Sequence, residues 1–173
     1  MARERKLAGV KRLLPLLLLA VFVVAGCGSG RLSDDEYRAR ISNVNTDLTN
    51  AASGIAGTAA PKVPVTRIRA ALGRLADSQD RIATTVEDTK PPKKAEAANA
   101  LLARGARDLA SEVRATQRKL RGSSDHAEAV ALVRKDLAKS KGVQELSRAF
   151  DQLHRLDLRI EPQKGLDRRC EAA

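Results

Sequence analysis

The stretch Lys93–Arg121, KKAEAANALLARGARDLASEVRATQRKLR, decides the fold. Ala95, Ala98, Leu102, Ala106, Leu109, Val113, Thr116 and Leu120 recur in it at steps of three and four. That spacing puts side chains on one face of an α-helix. Pro91 and Pro92 precede the stretch and Gly122 follows it. The prolines bar a helix from running in, and Gly122 is expected to cap the helix at its C-terminus. Half of the apolar face is alanine or threonine. Alanine favours helix but buries little area, so a slender bundle with closely spaced helices is predicted.

The same period extends outward. Upstream, Ile68, Leu72, Leu75, Gln79, Ile82 and Val86 form the seam of a helix that begins near Val65 or Thr66 and stops at Lys90-Pro91-Pro92. Before it, Ser33-Asp34-Asp35-Glu36 reads as a capping box. Tyr37, Ile41, Val44, Leu48, Ala51 or Ala52, and Ile55 follow on one face; Gly54 and Gly57 weaken that helix, and Pro61 and Pro64 stop it. Downstream, Asp125 with Glu128 starts an element marked by Val130, Val133 and Leu137. Ser140-Lys141-Gly142 interrupts it, and Val143, Leu146, Phe150, Leu153 and Ile160 continue the pattern. No strand-like alternation occurs. Short loops make neighbouring helices antiparallel. The expectation is an all-α, antiparallel up-down four-helix bundle over residues 33–161, its last helix broken near Gly142, with a flexible tail over 162–173.

The N-terminus reads differently. Arg3, Arg5, Lys6, Lys11 and Arg12 precede an apolar run of 14 residues from Leu13 to Gly26. A full membrane span needs about 20 apolar residues, and 10–14 is the length of a signal-peptide core. The run ends Val24-Ala25-Gly26-Cys27, followed by Gly28-Ser29-Gly30. These residues resemble a bacterial lipobox, with Val24 where the pattern often has Leu. The resemblance implies a signal peptide over 1–26, cleavage before Cys27, acylation of the Cys27 thiol and a short tether over 27–32. It places the protein at the cell membrane on the extracytoplasmic face. The whole chain resembles small Ala/Arg-rich helical lipoproteins of actinobacteria, a resemblance of architecture and composition that carries no activity with it.

The formal charge is +11, from 32 Lys and Arg against 21 Asp and Glu. Without the first 26 residues it is +7, and six of those seven units lie between Lys90 and Arg121. Aromatic residues make up 2% of the chain, too few for the stacking platforms of single-stranded nucleic-acid binding. Export also removes nucleic acid as an ordinary partner. The basic excess is therefore expected to serve anionic headgroups, a wall polymer or an acidic envelope protein. Lys90, Lys93, Lys94, Arg107, Arg114, Arg118 and Arg121 are the candidate contacts. In an up-down bundle the loop Lys90–Lys94 and the tail residues Lys164, Arg168 and Arg169 return to the anchored end.

Other candidates are weaker. His154 lies between Asp151 and Asp157, three residues from each, a pattern that can hold a metal or move a proton but more often makes surface ion pairs and caps. His126 opens a helix without an evident partner. Cys170 is the thiol that remains once Cys27 is acylated; it can form an intermolecular disulfide. Gln79 and Thr116 occupy seam positions, where polar residues line a pocket or fix register. No phosphate loop, nucleophile elbow or metal-spaced His/Cys set is present, and no cofactor, metal or catalytic residue is expected. The leading reading is a non-catalytic, lipid-anchored envelope protein that presents a helical surface. The alternative is a solute- or metal-binding lipoprotein associated with a transporter, which needs a pocket with convergent polar groups.

Overall fold

A computed structural model of the chain describes residues 30–60 and 63–158. The chain divides after Arg31, and the unit from Leu32 onward contains five α-helices and no strand among the described residues. They are α1 (Asp34–Ala56), α2 (Val65–Glu87), α3 (Glu96–Lys119), α4 (His126–Ala138) and α5 (Lys141–Arg155). Short 3-10 turns extend α1 over Gly57–Ala59, lead into α3 over Lys93–Ala95 and close it over Leu120–Gly122. The fold is the expected all-α bundle. The leader, Cys27, Ile160 and the tail with Lys164, Arg168, Arg169 and Cys170 lie outside the described residues.

Helix α1 starts as its sequence dictates. The Glu36 backbone N–H donates to Ser33 Oγ at 3.3 Å, and the Ser33 N–H donates to Glu36 Oε2 at 2.8 Å. Two otherwise orphaned donors are satisfied by one reciprocal box. That N–H and then the Ser33 hydroxyl hold the Glu36 carboxyl below the usual carboxylate range.

Helices α1, α2 and α3 run antiparallel in sequence order, and α5 runs back along α3. Gln117 Nε2 donates to the Arg69 carbonyl at 2.9 Å near one end of the α2–α3 pair. Asn99 Nδ2 donates to the Val86 carbonyl at 2.9 Å near the other. Asn99 also accepts from the Tyr37 hydroxyl at 3.1 Å, so one buried amide ties three helices. Burial pushes the Tyr37 hydroxyl pKa well above its ordinary value. The core is formed by Tyr37, Ile41, Ile68, Leu72, Leu102, Val113 and Leu153, with small residues Ala76, Ala106, Ala110 and Ala149 fully buried among them.

One pole of the bundle gathers the starts of α1 and α3 and the ends of α2 and α5. There the Leu32 N–H donates to the Lys90 carbonyl at 2.9 Å, and Arg38 Nη2 donates to the Asp157 carbonyl at 3.0 Å. The opposite pole gathers the ends of α1 and α3 and the start of α2. Helix α4 lies across it, with His126 Nδ1 2.8 Å from the Val63 carbonyl and Asp136 bonded to Thr116 and Lys119 on α3.

The break in the last helical region falls near Gly142 as expected, at Lys139–Ser140, with Gly142 itself inside the first turn of α5; two other sequence expectations are corrected. Gly142 is there because α5 meets α3 backbone to backbone. A Cβ at Gly142 would lie 2.7 Å from Gly105 O, 2.7 Å from Leu109 Cα and closer still to Leu109 N. The seam of α5 is consequently Gly142, Leu146, Ala149 and Leu153, while Val143 is 43% exposed. Finally, Gly122 is no left-handed cap, because α3 tapers through its 3-10 turn without a positive φ. The left-handed non-glycine residue among the described residues is Asp157 (φ 57°), which ends α5. Leu158 N–H donates to Leu153 O at 3.0 Å and Asp157 N–H donates to His154 O at 3.1 Å. That is the Schellman pattern, with Leu153 and Leu158 buried together beneath it.

Gly142→Ala is expected to lower stability by about 3 kcal/mol, at the upper end of overpacking costs, because the clash is with backbone. Gly122→Ala, whose Cβ would meet nothing within 4 Å, should leave stability unchanged or raise it by about 0.5 kcal/mol. Urea unfolding of both variants checks the contrast.

Candidate functional site

The candidate surface is the set of cations carried by the α2–α3 region, and packing divides it. Arg107 Nε donates to Glu87 Oε1 at 2.9 Å, and Arg114 Nη2 lies 3.0 Å from Asp77 Oδ1 and 2.5 Å from Asp80 Oδ2. Arg107 and Arg114 thus clamp α3 to α2. Their partners are on the neighbouring helix, three and seven residues apart, as antiparallel packing requires. The Arg107 hydrogen bond holds the Glu87 carboxyl below the usual range, and both guanidinium pKa values are raised by their carboxylates. Lys94 Nζ lies 2.5 Å from Asp34 Oδ2. Of the seven basic candidates, Lys90, Lys93, Arg118 and Arg121 remain exposed and without an ion pair among the described residues.

These four separate to opposite poles. Lys90 and Lys93 sit where α1 begins, with Asp34, Asp35, Glu36 and Asp88 at the same end. Arg118 and Arg121 sit where α3 ends, opposite the first turns of α2, which carry Arg67 and Arg69, and near α4, which carries Arg134 and Lys135. Arg107, Arg114 and Arg118 on α3 and Arg121 in its closing turn therefore do not act as one surface: the first two are neutralised by carboxylates of α2.

An acidic cluster that sequence reasoning missed lies on the α3–α5 contact. Ser140 donates its hydroxyl to Glu112, the Lys141 N–H donates to Glu112 Oε1 at 3.1 Å, and the Gly142 N–H points at Glu112 Oε2 at 3.4 Å. A carboxylate from α3 therefore covers the positive end of α5. Ser140 Oγ also accepts from the Val143 N–H at 3.0 Å. Lys141 Nζ lies 2.8 Å from Asp108 Oδ2 and 3.6 Å from Glu145 Oε1. In the sequence, Asp108 and Glu112 count only as offsets to a basic run. Their spacing to Ser140 and Lys141 is visible only once the helices pack.

The polar seam residues part company as well. Thr116 is satisfied, its hydroxyl 3.2 Å from the Glu112 carbonyl and 2.8 Å from Asp136 Oδ2. Gln79 is 1% exposed and its Oε1 has no partner. His154, Asp151 and Asp157 are exposed; Asp157 belongs to the turn that ends α5. Among the described residues no three His, Cys, Asp or Glu side chains are grouped to hold a metal ion. No described helix is long and apolar enough to cross a membrane.

Three open clefts flank α1. Two lie between α1 and α2 and are polar, lined by Asp47, Ser78 and Arg81 among others. The third, of about 300 Å³, lies between the end of α1, the start of α2, and α4, and is lined mainly by aliphatic side chains. Neither Gln79 nor Thr116 lines any of the three.

Lys119 and then Thr116 hydrogen-bond Asp136 and hold its carboxyl below the usual aspartate value. A depressed folded-state pKa contributes stability above the unfolded value near 4, which is lost as pH falls through the folded value. Acidification from about pH 5 to about pH 2 should therefore narrow the gap in melting temperature between the native chain and Asp136→Asn. Gln79→Met should raise unfolding free energy by about 1 kcal/mol, because it removes an unpaired buried acceptor at similar volume; chemical denaturation measures it.

No protein-family model, curated protein or solved structure matches this chain.

Proposed function

We propose that the protein is a non-catalytic, lipid-anchored component of a bacterial cell envelope. It is attached through Cys27 on the extracytoplasmic face, and its bundle offers a basic surface to an anionic wall polymer or an acidic envelope protein. The lipobox-like Val24-Ala25-Gly26-Cys27 supports the anchor. Two acyl chains, at about 0.8 kcal/mol per buried CH₂, give durable attachment where one is marginal. Gly28 to Arg31 spans on the order of 14 Å at ~3.5 Å per residue, which keeps the start of α1 near the bilayer.

The fate of the cations carries the choice of surface. Arg107, Arg114 and Lys94 are engaged within the bundle. Lys90 and Lys93, at the pole where α1 begins, share it with Glu36 and Asp88, which offset their attraction to anionic headgroups, while Asp34 and Asp35 are paired with Lys94 and Arg38. Arg118 and Arg121, with Arg67, Arg69, Arg134 and Lys135 at the pole remote from the anchor, outnumber Asp125 and Glu128 there, Asp136 being paired with Lys119. The remote pole is therefore the favoured contact for an anionic partner.

The test compares full-length variants in a host that acylates lipoproteins. Cys27→Ser should abolish the acyl mass increment and leave residues 1–26 attached to the protein. Arg118→Glu with Arg121→Glu should weaken retention on a poly(glycerol phosphate) wall polymer by roughly tenfold or more at low salt, at about 1 kcal/mol per cation near an anionic surface. Lys90→Glu with Lys93→Glu should change it little. An acyl mass increment that persists in the Cys27 variant, or the reverse order of the two charge pairs, overturns the reading.

A further inference from the structure

We infer that the aliphatic cleft beside α4 binds the alkyl chain of a single-chain amphiphile whose anionic head pairs with Arg134. Ile55 from α1, Ile68 from α2, and Val130, Val133 and Leu137 from α4 form its walls, and Arg134 stands among them. Ile55, Val130 and Leu137 are only half-buried, although each occupies a seam position that a filled bundle would cover. The volume of about 300 Å³ lies at the lower edge of small-molecule sites.

The lining chooses the class of occupant. Thr58 is the one uncharged polar side chain in the wall, and its hydroxyl proton is committed to the Ile55 carbonyl at 2.7 Å. The cleft therefore lacks the convergent hydrogen-bonding groups that a sugar or nucleotide needs. No carboxylate lines it, so a cationic head has no counterion there. Arg134 is exposed and has no ion pair among the described residues, and its planar guanidinium suits a carboxylate or phosphate. Arg67, Lys135 and Arg118 at the same pole outnumber Asp125 and Glu128, and Asp136 is paired with Lys119, so the local field stays positive. An alkyl chain in the groove with a monoanionic head on Arg134 satisfies both features. This inference goes beyond the anchored-surface reading and needs neither acylation of Cys27 nor the contact at Arg118 and Arg121.

Photolabelling of the full chain, held in discs of zwitterionic phospholipid, tests it. The probe is dodecanoate bearing a terminal diazirine. Labelled peptides are expected to contain Ile55 and the Val130–Leu137 segment, and competition by alkyl carboxylates should strengthen roughly fourfold per added methylene until the cleft is filled. Dodecanol should compete at least tenfold less well than dodecanoate. Arg134→Gln, an exposed substitution, should cut labelling about tenfold through loss of the charge-assisted pair. Val130→Trp, which fills the groove, should abolish it, with circular dichroism verifying that the helices persist. Equal competition by dodecanol, unchanged labelling of Arg134→Gln, or labelling confined to other segments overturns the inference. Occupation of the cleft by residues 13–24 of the same chain or by a second copy would also overturn it, and would appear as no dodecanoate labelling of residues 126–138 at any probe concentration.

Discussion

The close approach of α5 to α3 is the constraint on which the rest of the bundle depends. Gly105 and Gly142 face each other across it, and a Cβ on either would strike backbone of the other helix. Without side chains there, the two helices approach closely enough for Glu112 to reach the first turn of α5 and satisfy its N–H groups. That contact fixes where α5 begins and so how far it runs. Its far end turns through Asp157 to deliver Leu158 into the core and a carbonyl to Arg38. One glycine pair thus sets the register of α5 against α3 and, through α5, against α1.

This arrangement explains how a chain with little large apolar surface holds together. Alanine and glycine at Ala76, Gly105, Ala106, Gly142 and Ala149 bring backbones close, trading buried area per residue for contact density. Ion pairs and side-chain-to-backbone hydrogen bonds at the helix margins then specify register. Exposed pairs such as Arg107–Glu87 contribute little stability individually, but they also neutralise the cations they use. The charge available to a partner is accordingly far smaller, and differently placed, than the basic run from Lys90 to Arg121 suggests.

The same frugality leaves α4 loosely held. It lies across one pole through His126, Ala129, Val133 and Asp136, and Val130 and Leu137, which pack against the core on one side, line an open cleft on the other. A cleft and an unpaired arginine result at the pole that also carries Arg118 and Arg121. The opposite pole has lysines and carboxylates side by side. The bundle is electrically two-ended, although its sequence shows only a basic middle.

What the sequence alone determined was local. The Ser33–Glu36 box, the Asp125 cap on Glu128, the seams of α1 to α3 and the stop at Pro91 and Pro92 are written in neighbouring residues, because capping and helical period depend on positions three and four apart. The lipobox-like segment is legible for the same reason. The tertiary structure decided the rest: that Gly142, beside the break, is a backbone contact between helices, that Val143 faces solvent, that Glu112 caps a helix twenty-eight residues away from it at Ser140, and which arginines remain unpaired. Those outcomes depend on which helix lies alongside which and at what register. A single strand of sequence encodes the faces of its helices, but the distance between two faces is set only when the smallest side chains on both are brought together.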